Sequence, residues 1–111
     1  MGENREDFEY YEVASVEDLE EGGSLLVQID DQTILIYRVQ DGFFAIGDIC
    51  THDNGPLHEG ELDGCQVICP RHGARFDIRT GRALSLPAVV DIPTFPVRVI
   101  NHTIEVGIPK D

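Results

Sequence analysis

Residues 24–46 read SLLVQIDDQTILIYRVQDGFFAI, and their pattern decides the fold class. Leu25, Val27 and Ile29 alternate with Leu26, Gln28 and Asp30, the period of two that marks a half-buried strand. Asp30-Asp31 is a turn signal, and the apolar, β-branched run Thr33-Ile34-Leu35-Ile36-Tyr37 completes a hairpin. Asp41-Gly42 turns the chain again, into Phe43-Phe44-Ala45-Ile46. Further on, Phe95, Val97 and Val99 alternate, Asn101-His102 marks a turn, and Ile104, Val106 and Ile108 alternate again. Upstream, Ser15-Val16-Glu17-Asp18 has the form of a capping box before a short helical turn that Gly22-Gly23 stops. Residues 1–9 hold four acids and one Arg and are expected to form a flexible acidic tail. No long 3.6-residue periodicity occurs, and Pro87, Pro93 and Pro96 oppose helix in the last third. The expected class is all-β, a small antiparallel sandwich or barrel, with residues 10–108 as one domain.

The chain has 111 residues with a formal net charge of −13, enough for one modest core. Phosphate contacts need Lys and Arg, so this charge argues against nucleic-acid binding; Lys110 is the one lysine. There is no 18-residue apolar run to span a membrane. MGENREDFEYYE lacks the apolar stretch of a secretory signal, so a cytoplasmic location is expected. Three cysteines, an odd number, do not suit a disulfide framework in a reducing compartment.

Between the strand-rich flanks, residues 48–86 differ in kind. They are rich in Gly and hold Cys50, Cys65 and Cys69 and three of the four histidines, the composition of functional loops on a rigid scaffold. Cys50-Thr51-His52 and Cys69-Pro70-Arg71-His72 each offer a thiolate and an imidazole on a short stretch. Two such turns give four soft or borderline ligands, a set that suits zinc or an iron–sulfur centre. A zinc-stapled structural module and a [2Fe–2S] cluster with two Cys on one iron and two His on the other both satisfy it.

Cys50-x-His52 and Cys69-Pro70-x-His72-Gly73, followed by Ala74-Arg75-Phe76-Asp77 and Thr80-Gly81-Arg82, resemble the motif of Rieske-type ferredoxins. The resemblance runs over about residues 10–108. It implies the Rieske iron–sulfur fold, with a cluster-binding subdomain of two ligand loops at about 48–86. It also implies one [2Fe–2S] cluster, with Cys50 and Cys69 on the inner iron and His52 and His72 on the outer iron at an exposed tip. High-potential relatives carry an extra cysteine in each ligand loop and a Ser and a Tyr after the His-Gly. Arg71, Ala74 and Phe76 stand at those places here, and the first loop, Thr51 to Pro56, holds no cysteine. With those hydroxyl donors missing, the potential is expected near the low end of the Rieske range, about −150 mV.

The function so implied is that of a one-electron carrier, not a catalyst, between a flavin- or NAD(P)H-dependent reductase and a terminal non-haem iron oxygenase. The alternative is a small Rieske subunit of a larger reductase complex. Neither a nucleotide-binding glycine fingerprint nor a nucleophile–base set is present. Cys65 reads as a half-buried free thiol, His58 as a surface residue and His102 as part of a turn. Arg71, Arg75, Arg79 and Arg82 form either a docking patch or a set of solvated charges. Residues 48–86 carry six acids and four arginines, so the acidity lies mostly outside them.

Overall fold

A computed structural model describes residues 8–40 and 42–110. It has ten strands: β1 (Phe8–Ser15), β2 (Ser24–Ile29), β3 (Gln32–Val39), β4 (Gly42–Gly47), β5 (Leu62–Asp63), β6 (Gln66–Ile68), β7 (Arg75–Asp77), β8 (Thr94–Phe95), β9 (Val97–Ile100) and β10 (Thr103–Pro109). They form three sheets in the orders β1-β10-β9, β2-β3-β4-β8 and β5-β6-β7, antiparallel throughout. The sheets are layered, and no barrel closes among the described residues.

The run Ile34-Leu35-Ile36-Tyr37 explains the layering. Every one of these side chains is buried, so β3 is covered on both faces. Ile34 and Ile36 face a core built with Ala45, Phe95, Val106 and Ile108, against β10. Leu35, Tyr37 and Val39 face the other way, into a core that includes Val67 and Phe76 of the small β5-β6-β7 sheet and both Cys50 and Cys69. Each such apolar side chain removed from water contributes about 1.5–3 kcal/mol. The two cysteine candidates thus share a core with one face of the central strand.

The turns follow from residue chemistry. Asn101 and His102 both have positive φ, +51° and +65°, between the paired residues Ile100 and Thr103. That is the two-residue turn whose twist matches a hairpin. Asp30 turns β2 into β3 at φ +55°. Val16–Asp18 is a single 3-10 turn, and the Asp18 carboxylate accepts the Ser15 N–H at 2.9 Å, as the capping-box pattern predicts.

The sequence reading needs two corrections. Phe8 and Glu9 do not belong to a tail: they open β1, opposite Pro109 and Ile108. Residues 1–7 of that expected tail lie outside the described residues, as does Asp41 of the Asp41-Gly42 turn. β1 escaped notice because its register shifts between Glu12 and Ala14, and a bulge breaks the alternation on which strand recognition depends. The stretch 48–86 is also more than loops. Its strands, two or three residues each, are too short to show a period, yet they bury Val67 and Phe76 completely.

Candidate metal centre

Both ligand loops are the same turn. In the first, the Cys50 N–H donates to the Gly55 carbonyl at 2.7 Å and the Asn54 N–H returns to the Cys50 carbonyl at 2.7 Å. In the second, the Cys69 N–H donates to Ala74 at 2.7 Å and the Gly73 N–H returns to Cys69 at 3.0 Å. The fifth residue of each turn is left-handed, Asn54 at φ +61° and Gly73 at φ +77°. Asn and Gly are the residues that tolerate this conformation. The repetition continues at the sulfurs. Backbone N–H groups of His52 and Asp53 donate to Cys50, and those of Arg71 and His72 donate to Cys69.

Cys50 and Cys69 are fully buried, at 0% and 1% exposure. Their sulfurs and a carboxylate oxygen of Asp53 lie within 4.8 Å of one another. Burial, with Cys69 adding to it, pushes the Cys50 thiol up. At Cys69 burial acts the same way but is outweighed by the Arg71 and His72 N–H donors, the Cys50 thiol and the Arg71 charge, which pull it down. A pair of apposed, buried thiolates needs a cation to offset its charge. His52 and His72 lie outside this core, exposed, with ring centroids 5.1 Å apart and planes at 80°. The structure thus brings all four predicted ligands to one end of the molecule, with thiols inward and imidazoles outward.

Asp53 is the third residue near the sulfurs, and its geometry removes it from the ligand set. Its oxygens accept Arg71 Nε at 2.6 Å, Arg71 Nη2 at 3.0 Å and the Gly55 N–H at 2.9 Å. The Arg71 hydrogen bonds and the Gly55 N–H hold its carboxyl well below the usual carboxylate range. His72 Nδ1 is 3.6 Å from Asp53, too long for a hydrogen bond.

The surroundings are tightly built. A Cβ on Gly60 would fall 2.1 Å from the Ile68 carbonyl oxygen, immediately before Cys69. The Asp48 side chain, 4% exposed, accepts the Leu57 N–H at 2.7 Å and meets His58 Nδ1 at 2.8 Å. Ala74 and Phe76 are fully buried in the same core and carry no hydroxyl. His58 and His102 do not join the ligands: the first is held on Asp48, the second turns β9 into β10. Cys65 is a free, half-buried thiol on the β5–β6 turn.

The four arginines divide. Arg71, Arg75 and Arg79 are each paired with an acid: Asp53, Asp63 and Asp77 respectively. Arg82 makes no side-chain ion pair among the described residues. Leu86-Pro87 resembles in sequence the proline loop that shields a Rieske cluster, and the segment around it carries a surface feature of its own. Leu86, Val89 and Val90 are 77%, 76% and 58% exposed, and the Thr51 hydroxyl of the first ligand loop donates to the Val90 carbonyl. An apolar patch therefore adjoins the histidine tip. The exposure of Val89 and Val90 is not legible in sequence, because an irregular segment has no periodicity.

Comparison with known proteins supplies the rest. The family model described as Rieske [2Fe-2S] domain matches residues 9–96. The ferredoxin component of naphthalene 1,2-dioxygenase/salicylate 5-hydroxylase systems from Ralstonia sp is 35% identical over 92 residues, 83% of this chain and 88% of the relative. The 3-phenylpropionate/cinnamic acid dioxygenase ferredoxin subunit from Photorhabdus laumondii is 38% identical over 100 residues, 89% of this chain and 94% of the relative. Among solved structures, a chain in the complex of reduced oxygenase and oxidized ferredoxin in carbazole 1,9a-dioxygenase superposes with a TM-score of 0.85. It is 34% identical, with coverage of 92% of this chain and 95% of that one. Among the described residues, no helix is long and apolar enough to cross a membrane.

Proposed function

The chain belongs to the Rieske [2Fe–2S] family, and from that premise we propose that it carries single electrons from a reductase to a terminal oxygenase, without catalysis of its own. The cluster, when bound, supplies a one-electron couple. We assign Cys50 and Cys69 as its inner ligands and His52 and His72 as its outer ones. The observation that carries this reading is the pair of matched loops, each presenting a buried thiol and an exposed imidazole. Such a donor set fits the cofactor. The buried sulfurs receive paired backbone N–H groups that stabilise negative charge. The exposed imidazoles put the electron's exit at the surface.

Each part of the chain has a task in this scheme. The core shared with β3 holds the thiols away from water. The exposed Leu86, Val89 and Val90 give a partner an apolar landing beside the histidines, suited to a small, transient contact below about 1,200 Å². Residues 48–86, with six acids and four arginines, carry a net charge of −2, a small part of the chain's −13. Ala74 and Phe76 offer the sulfurs no hydroxyl, consistent with a potential near −150 mV at the low end of the family's range. We place the protein in the cytoplasm and take residues 8–109, from the start of β1 to the end of β10, as its working domain.

The test begins with composition: two irons and two sulfides per chain, no stoichiometric zinc, and the rhombic EPR signal of a reduced mixed-ligand cluster. A colourless protein with one zinc per chain would sink the ligand assignment. Stopped-flow mixing with a reduced ferredoxin reductase and then with an oxidised oxygenase should show one electron entering and leaving. Absence of either transfer across several cognate pairs would sink the carrier role.

A further inference from the structure

We propose that Asp53 and Arg71 form a staple between the two ligand loops and are positioning residues for His52 and His72. The proposal rests on the ligand assignment above. Asp53 directly follows His52, and Arg71 directly precedes His72, so a bond between them ties the histidines' immediate neighbours. That bond is a two-point fork, Nε to Oδ2 at 2.6 Å and Nη2 to Oδ1 at 3.0 Å. A fork fixes orientation as well as distance, which a single charge contact does not. Apart from the contact between the Cys50 and Cys69 sulfurs, no other side-chain hydrogen bond among the described residues joins residues 50–58 to residues 69–74.

The pair is built in on both sides. Asp53 Oδ1 also takes the Gly55 N–H at 2.9 Å, so the carboxylate is locked to its own loop. Gly55 makes room for the guanidinium: a Cβ there would fall 2.7 Å from both Arg71 Cζ and Nη2. The side chains are 35% and 19% exposed, more sheltered than a free surface pair. The imidazoles themselves make no hydrogen bond to any side chain among the described residues, and His72 is 52% exposed. The tie between their neighbours therefore restrains the two loops that carry the rings. Because the two charges cancel, the staple adds constraint beside the ligands without adding net charge.

Holoprotein variants test this through two readouts, release of iron to a chelator and the EPR g-values of the reduced protein. Asp53→Asn and Arg71→Gln should each speed release about tenfold, and the double variant should be no faster than either single, because all three break one bond. All three should share one displaced set of g-values. Gly55→Ala keeps both charges but puts a methyl where the guanidinium lies, and it should reproduce the displaced spectrum. Multiplied effects in the double variant would overturn the staple, as would wild-type g-values in Gly55→Ala. If Asp53→Asn fails to fold by far-UV circular dichroism, Arg71→Gln, Gly55→Ala and their combination carry the same cycle. A wild-type protein lacking two irons and two sulfides would instead sink the ligand assignment, a separate outcome.

Discussion

Gly60→Ala should disable the second ligand loop without touching a ligand. Gly60 lies where the segment after the first loop crosses the strand that leads into Cys69. A Cβ there would stand 2.1 Å from the Ile68 carbonyl oxygen and 3.1 Å from the Leu57 carbonyl oxygen. Carbon–oxygen contacts settle at about 3.3–3.6 Å, so the backbone must part by roughly 1.2–1.5 Å. It cannot part freely. The Gly60 N–H is bonded to Leu57 at 2.8 Å, and the Ile68 N–H to Glu61 at 2.9 Å. Ile68 is covalently joined to Cys69, and a functional constellation tolerates about 0.5 Å of misplacement. Overpacking costs about 1–3 kcal/mol and each lost hydrogen bond about 1 kcal/mol more, so a loss of about 2–4 kcal/mol is expected. Cluster content should fall several-fold. Gly64→Ala is the control. No atom lies within 4 Å of its Cβ, but its φ is +61°. It should lose only about 1–2 kcal/mol, from the left-handed backbone, and keep its cluster. Iron per chain in identically expressed protein, with thermal unfolding of each variant, decides the matter. Wild-type iron content and stability in Gly60→Ala would refute the reasoning.

Other outcomes follow from the same geometry. His72→Ala should lose the visible chromophore, whereas His102→Gly should keep it, since His102 only turns a hairpin at φ +65°, where Gly is at ease; equal bleaching in both would show the ligand assignment wrong. Ala74→Ser with Phe76→Tyr should raise the midpoint by tens of millivolts, because hydroxyl donors favour the more negative reduced state; voltammetry on intact protein showing no rise would contradict this. Val89→Asp, at a position 76% exposed beside the tip, should slow reduction by the partner at least several-fold with an unchanged EPR spectrum, and an unchanged rate would place docking elsewhere. The Arg79 hydrogen bonds hold Asp77 below the usual carboxylate range. A depressed folded pKa contributes stability above the unfolded value near 4 and loses it as pH falls through the folded one. Asp77→Asn should therefore flatten the acid side of the stability profile, as read by denaturant unfolding between about pH 2 and 5; an unchanged profile would show that the pair contributes nothing.

The chemistry of this protein is unusually legible along the chain. Cys50-x-His52 and Cys69-x-x-His72 declare a four-ligand site because ligand identity and local spacing are properties of neighbours in sequence. The β2–β3 hairpin and the β9–β10 hairpin are legible for the same reason: alternation and turn residues are local. β1 was not, because a bulge at Glu12–Ala14 breaks its alternation. Nor were β5, β6 and β7, whose strands are shorter than any period.

Sequence alone therefore determined the all-β class, the ligand candidates and the family to which they point. Tertiary structure decided what the remaining charges and apolar residues do. Nothing in the sequence separates Arg71 from Arg82, but the fold brings Asp53, eighteen positions away, within 2.6 Å of Arg71. Leu86 and Val89 are as apolar as any core residue, but the fold leaves them at the surface. The apolar run of β3 gave no hint that one face shares a core with the thiols and the other with the outer sheet. Pairing, exposure and the choice of face depend on contacts between distant segments, and those exist only once the layers have packed.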